Sequence, residues 1–230
     1  MRVYPVIQGL SLIYLLFSFS LPAAAVFFEP PGDDAPKEAT GGASRNHTCL
    51  QQLPIPLLPA NHLGLTQAKR PTILVNLPPE HNTQQAFFSL QDEQNNHHYQ
   101  TLVSLPPEAG IFKLKLPNTA PALEVGKNYK WSLVILCNGF LEPDSPDITG
   151  WVRRINPTLE STVTSLERIS QLAAAGIWYD TVSSLADLRQ AAPTNPIVST
   201  HWQELLVSVG LEQLAHQPLL EGEARGLSEK

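Results

Sequence analysis

The sequence predicts an α+β fold: an antiparallel β-sandwich followed by a C-terminal helical region. Two observations carry this. Between residues 71 and 155, six short segments alternate apolar and polar residues or are rich in β-branched and aromatic ones, with turn residues between them. After Ile155 the apolar residues recur at steps of three and four instead, the period of a helix. A third, local pattern ahead of one long segment narrows the kind of sandwich.

The strands are expected at "PTILVNL" (71–77), "AFFSLQD" (86–92), "HYQTLVSL" (98–105), "GIFKLKLP" (110–117), "NYKWSLVILC" (128–137) and "DITGWVRRI" (147–155). Pro78-Pro79, "EQNN" and Pro106-Pro107 punctuate them. In the fourth, Phe112, Leu114 and Leu116 face one way and Lys113 and Lys115 the other. The third pattern is "LEVGKNY", which sets Leu123, Gly126 and Tyr129 in an L-x-x-G-x-x-Y spacing before a long strand. It resembles the tyrosine corner of immunoglobulin/fibronectin-like sandwiches, where the phenol bonds back to the backbone.

Cys137 closes the fifth segment, on the face of Trp131, Leu133 and Ile135. A catalytic thiol needs a nearby base and a positive environment, and no Cys-His signature surrounds it. A zinc site needs about four ligands; two cysteines with scattered histidines do not supply them. In an oxidising compartment Cys49 and Cys137 read as one disulfide. It would tie "CLQQLPIPLLP", whose prolines make a poorly held edge, to the domain.

Beyond Ile155, Asn156-Pro157 gives a cap-and-proline start for a helix carrying Leu159, Val163, Leu166, Ile169 and Leu172, and Gly176 ends it. Asp180 is the expected cap of a second helix with Val182, Leu185 and Leu188, stopping before Pro193. Asn195-Pro196 repeats the start signal for a third, with Trp202, Leu205, Leu206 and Val209, ending at Gly210. The pair in "AAAGIWYDTVSSLADLRQAAP" resembles one tetratricopeptide-type hairpin. Packing of these helices on the sandwich or on each other is the alternative, since one such unit does not make a stack. Trp178, Tyr179 and Trp202 mark where the tail anchors, or a partner-binding surface should they be exposed.

The N-terminus sets the compartment. Arg2, an apolar run from Val6 to Phe19 and Ala23-x-Ala25 make a secretory signal peptide with cleavage after Ala25. The run is too short for a membrane anchor of about 20 residues. The expected organisation is therefore signal peptide 1–25, flexible leader 26–48, sandwich 49–155, helical extension 156–216 and disordered tail 217–230. "NHT" at 46–48 fits a glycosylation sequon in a eukaryotic host. The mature protein is expected in the periplasm or secreted, with no further membrane span.

Charge and motifs exclude several functions. The chain has 21 Asp+Glu against 15 Lys+Arg, a net charge of −6, and no basic cluster, so nucleic acid is not an expected partner. The histidines, at 47, 62, 81, 97, 98, 201 and 216, show no metal-binding spacing. His97 and His98 read as solvated turn residues. No nucleophile elbow, phosphate loop or dinucleotide fingerprint occurs. Glu142, Asp144 and Asp147 lack the spacing of a calcium loop and read as an acidic turn. Of Arg153 and Arg154, one is expected in solvent and the other beside an acidic group. No catalytic, cofactor or metal residue is assigned.

"GLTQAKRPTILVNLP", "FFSLQDE", "YQTLVSLPPEAGIFKLKLP", "LEVGKNYKWSLVILC", "GWVRRI" and "AGIWYDTVSSLADLR…HWQELLVSVGLE" together resemble the cyanobacterial domain of unknown function 928 family, over residues 49 to 213. "FLEPDSPDIT" (140–149) stands where members usually carry a shorter polar turn with an arginine. The resemblance implies a signal peptide, no established activity and a surface or interaction role. The expected function is a non-catalytic protein-interaction module of the cell envelope, with an unidentified envelope or exported protein as partner. The alternatives are a structural or secretion-assisting envelope component, or an envelope hydrolase using His201, Asp180 or a serine of the tail.

Overall fold

A computed structural model describes residues 26–32, 50, 52–79, 85–137, 139–157 and 165–225, with the side chains of 222–225 left out. The signal peptide, the sequon, Cys49, His47, His81, Leu159 and Val163 lie outside these residues. The described chain is a mixed α+β fold of two sheets, mostly antiparallel, and three helices.

The strands are β1 (Ile55–Pro56), β2 (Leu63–Thr66), β3 (Thr72–Leu77), β4 (Gln85–Asp92), β5 (His97–Ser104), β6 (Gly110–Lys115), β7 (Asn128–Ile135), β8 (Asp147–Arg154) and β9 (Leu219–Arg225). Their order is β1-β3-β6-β9-β5-β4-β7-β8-β2. β1, β3 and β6 form one sheet; β5, β4, β7, β8 and β2 form the other. β9 joins them, pairing parallel with β6 and, at Ala224 and Arg225, antiparallel with Val103 and Leu102 of β5. β2 runs parallel to β8.

The alternation seen in sequence is the burial pattern of β7: Tyr129, Trp131, Leu133 and Ile135 are buried and the residues between them half-buried. β7 ends at Ile135, so Cys137 sits in the turn that follows rather than in the strand. One apolar core takes residues from both sheets and from the helices.

The helices are α1 (Leu166–Ala174), α2 (Trp178–Ala191) and α3 (Pro196–Ser208). Ser165 caps α1, its hydroxyl accepting the Arg168 amide at 3.2 Å; Asn156 and Pro157 are not helical, which corrects the expected start. α2 begins at Trp178, not at an Asp180 cap, because Asp180 is drawn to β2 instead. Asn195 caps α3, accepting the amides of Ile197 and Val198, with Pro196 in the first turn.

Three further expectations are corrected. In the expected leader, Val26 and Phe28 are buried; the Phe28 ring meets Trp178 edge-on at 4.9 Å, and the Glu29 amide donates to the Ala173 carbonyl at 3.2 Å. Fully burying a side chain of this kind contributes about 1.5–3 kcal/mol. In the expected disordered tail, residues 219–225 form β9; they carry only two large apolar residues, Leu219 and Leu220, and pair along the ladder of β6. Lys113, expected on a polar face, is 1 % exposed because α2 covers it.

Candidate functional site

α2 is fastened to the sheets at both ends, by different chemistry. At its N-terminal end, Trp178 is buried and donates its indole N–H to the Leu57 carbonyl at 2.8 Å. The Tyr179 hydroxyl accepts from Trp131 Nε1 at 2.6 Å and donates to the Trp151 carbonyl at 3.0 Å. Burial pushes its phenol pKa well up, so the group is a neutral donor and acceptor at any physiological pH. Gly64 and Gly150 make the joint fit. A Cβ at Gly64 would lie 2.5 Å from the Tyr179 ring, and one at Gly150 would lie 2.6 Å from the Trp131 ring. Asp180 completes this end, accepting from Thr66 Oγ1 at 2.6 Å and the Gln67 amide at 3.1 Å. Burial raises its carboxyl pKa against the pull of those bonds.

At the other end the contact is ionic. Lys113 Nζ reaches Asp187 Oδ1 at 2.5 Å, Gln190 Oε1 at 2.9 Å and Glu221 Oε1 at 2.8 Å. Burial pushes the lysine pKa down, but the two carboxylates outweigh it and hold the ammonium above its ordinary value. Asp187 and Glu221 remain half in water.

A separate feature lies at the β7–β8 connection. Phe140 is 72 % exposed and Leu141 61 %. They stand beside an open cavity of about 550 Å³ lined by Val134, Leu141, Glu142, Pro143, Ser145 and Asp147. Burial raises the Asp147 carboxyl pKa, with Lys130 opposing. Ser145 fixes the loop, its hydroxyl accepting the Glu142 amide at 2.9 Å.

The residues singled out from sequence fall as follows. Tyr129 is buried and its hydroxyl accepts the Glu124 amide at 3.4 Å; Leu123 is buried and Gly126 takes a φ of 80°. No described cysteine is free; Cys49 lies outside the described residues. Trp178, Tyr179 and Trp202 are 0, 2 and 1 % exposed, so they are not a partner-binding surface. Trp178 and Tyr179 anchor α2, and the Arg189 guanidinium stacks on Trp202 at 5.3 Å.

The hydrolase candidates are not brought together. His201 is buried with Nδ1 3.0 Å from Glu204 Oε2 on its own helix, while Asp180 is held by Thr66 and Gln67. His97 and His98 belong to β5 rather than to a turn: His97 bonds Gln100 at 2.8 Å, and His98 packs on Tyr129 at 4.7 Å. Arg153 and Arg154 bond neutral oxygens, Asn128 Oδ1 at 2.6 Å and the Leu123 carbonyl at 2.9 Å. Among the described residues no group of His, Cys, Asp or Glu could hold a metal, and no helix is long and apolar enough to cross a membrane.

Sequence reasoning missed Lys113 as a buried cation and Phe140 and Leu141 as an exposed pair. "GF-LEP" carries the second signal: two large apolar residues inside a turn bounded by glycine and proline.

The fold and its two polar joints define a β-rich domain with a helical layer. The chain belongs to the family described as Domain of Unknown Function (DUF928), which matches residues 40–219. A search of curated proteins finds no match.

Proposed function

We propose that the chain is a non-catalytic protein-interaction module, exported to the envelope of a cyanobacterial cell, and that the β7–β8 loop is its contact surface. The observation that carries this is the exposed Phe140–Leu141 pair beside a cavity with an acidic wall. Large apolar side chains held out on a loop mark contact sites. Glu142 and Asp147 line the cavity and Asp144 is exposed beside it. The partner chemistry this favours is an exported protein presenting an apolar side chain next to a lysine or arginine.

An immunoglobulin-like sandwich is the finer fold we infer. It is supported by the division of strands into β1-β3-β6 and β5-β4-β7-β8-β2, by the parallel β2–β8 pair and by the Tyr129 bond five residues back. In such sandwiches the β7–β8 connection belongs to a loop cluster at one end, a usual place for recognition. We also propose the Cys49–Cys137 bridge, which suits an oxidising compartment and would fix the start of the domain beside this loop. The signal peptide, cleaved after Ala25, is the proposed route out of the cell.

The test is site-specific photo-crosslinking in the producing cell, with the probe at position 140 and, as control, at Val207, another exposed apolar residue. One exported protein should couple to position 140 only. With that partner purified, Leu141→Ser and Asp147→Asn should each weaken binding by about 1–3 kcal/mol. Equal coupling at both positions, or unchanged affinity in both variants, sinks the proposal. Protein from the envelope fraction should begin at Val26; a full-length chain confined to the cytoplasm would overturn the export step.

A further inference from the structure

We infer that the gap between β6 and β5 is a strand-acceptor slot, which this chain fills with its own β9 and which fits an extended segment of a partner protein. The walls of the slot lie inside the family match, which ends at Leu219, the first residue of β9. Six of the seven residues of the strand that occupies it here, 220 to 225, lie beyond the matched residues. Ile111 to Lys115 pair parallel with Leu219 to Glu223, whereas β5 lends only Leu102 and Val103. Without β9 the two sheets separate into two open edges, and open edges take up strands.

The slot has a shape and a charge. At its mouth Gly110, with φ +149°, lets the chain pass close: a Cβ there would lie 2.6 Å from the Pro218 carbonyl oxygen. That carbonyl accepts the Ile111 amide at 2.7 Å. Further in, Lys113 at 2.8 Å and Lys115 at 3.3 Å converge on the Glu221 carboxylate. That carboxylate is held below its ordinary pKa, chiefly by Lys113. Lys113 also keeps Asp187 and Gln190, so a departing β9 does not strand it without a partner. β9 itself is lightly held. Leu219 and Leu220 are half-buried and Glu221 is half-exposed. The occupant that fits is an extended segment with two apolar residues followed by a carboxylate, running parallel to β6. Occupation in cis lowers a partner's apparent affinity by the fraction of time the slot is closed.

The probe is a fluorescent peptide of sequence Leu-Leu-Glu-Gly-Glu-Ala-Arg, titrated into the full chain. Glu221→Lys sets a lysine against Lys113 and Lys115 and should release β9. The variant is then expected to bind the peptide at least about tenfold more tightly than the wild type, and the same peptide with lysine at its third position should not bind. Equal binding by both chains, or none by an E221K chain whose β9 amides have lost hydrogen-exchange protection, overturns the slot. A wild-type dimer that disappears in E221K means that a second copy fills the gap, and overturns the heterologous partner. If E221K does not fold, the wild type decides. Its amides at 219–225 should exchange at least about tenfold faster than those of β3. Exchange only on global unfolding makes β9 a fixed strand and ends the proposal.

Discussion

The two ends of α2 solve one problem in opposite ways. The Trp178–Tyr179 end is aromatic and buried, with a single carboxylate, Asp180, beside it. The Asp187–Gln190 end relies on a buried lysine whose carboxylate partners stand half in water. At the first end the buried polar groups bond one another in fixed pairs, with Tyr179 and Asp180 each serving two partners, so removing one of them leaves another short of a bond. At the second, water can replace a lost carboxylate. The first end should therefore fix the geometry of the joint, while the second holds a contact that can be exchanged.

The comparison breaks first, if it breaks, at Trp178. Trp178→Ala removes the ring packed on Phe28 and leaves the Leu57 carbonyl unpaired, and should cost about 3–5 kcal/mol. Urea denaturation reads it as a lower midpoint with little change in slope. A loss below about 1 kcal/mol would place the anchor elsewhere. Tyr179→Phe comes next. It keeps the ring but leaves the buried Trp131 Nε1 without its acceptor, while the Trp151 carbonyl stays in the β2–β8 ladder, at about 1–3 kcal/mol. A cost near zero would mean that water reaches the joint.

The smallest effect sharpens the comparison by its sign. Asp180→Asn keeps an acceptor for Thr66 and Gln67 but removes a buried charge. The wild-type carboxyl pKa is raised above its ordinary 3.8, so the folded state takes up that proton before the unfolded state does. Stability from this group therefore rises as pH falls through the folded value toward 3.8. At pH 7 the variant should equal or exceed the wild type by up to about 1 kcal/mol, and the gap should close in acid. Melting curves between pH 7 and pH 4 read it directly. A variant less stable at pH 7, with a gap that widens in acid, would reverse the assignment.

Much of the sheet was legible because its signals are local. The period-two runs of β3 to β8 and the Asn195-Pro196 cap each lie within a few residues of what they specify. β2 and β9 were not legible, and the reason is physical. "LGLT" and "LLEGEAR" are short and weakly patterned, and each becomes a strand because a distant ladder, β8 or β6, lies open beside it. Lys113 failed for the same reason: nothing in "GIFKLKLP" tells that α2 will cover one of its two polar positions. The start of α1 was lost to a rival signal, Asn156-Pro157 looking as good a cap as Ser165. Among the candidate sites, Tyr129 and the aromatics of α2 could be picked out by residue type. Which of them face inward is decided by partners more than a hundred residues away, as with Trp178 and Leu57.

All four tryptophans of the chain, at 131, 151, 178 and 202, are buried, at 0, 6, 0 and 1 % exposure. The protein therefore carries its intrinsic fluorophores in the joint and the core, and none on the β7–β8 loop. Emission should be blue-shifted in the native state and move to the red when the helical layer lifts away. A ligand settling on Phe140 and Leu141 would leave that signal dark to the observer. Screening by intrinsic fluorescence would then pass over the loop, and a dye attached near position 140 is what would make it visible.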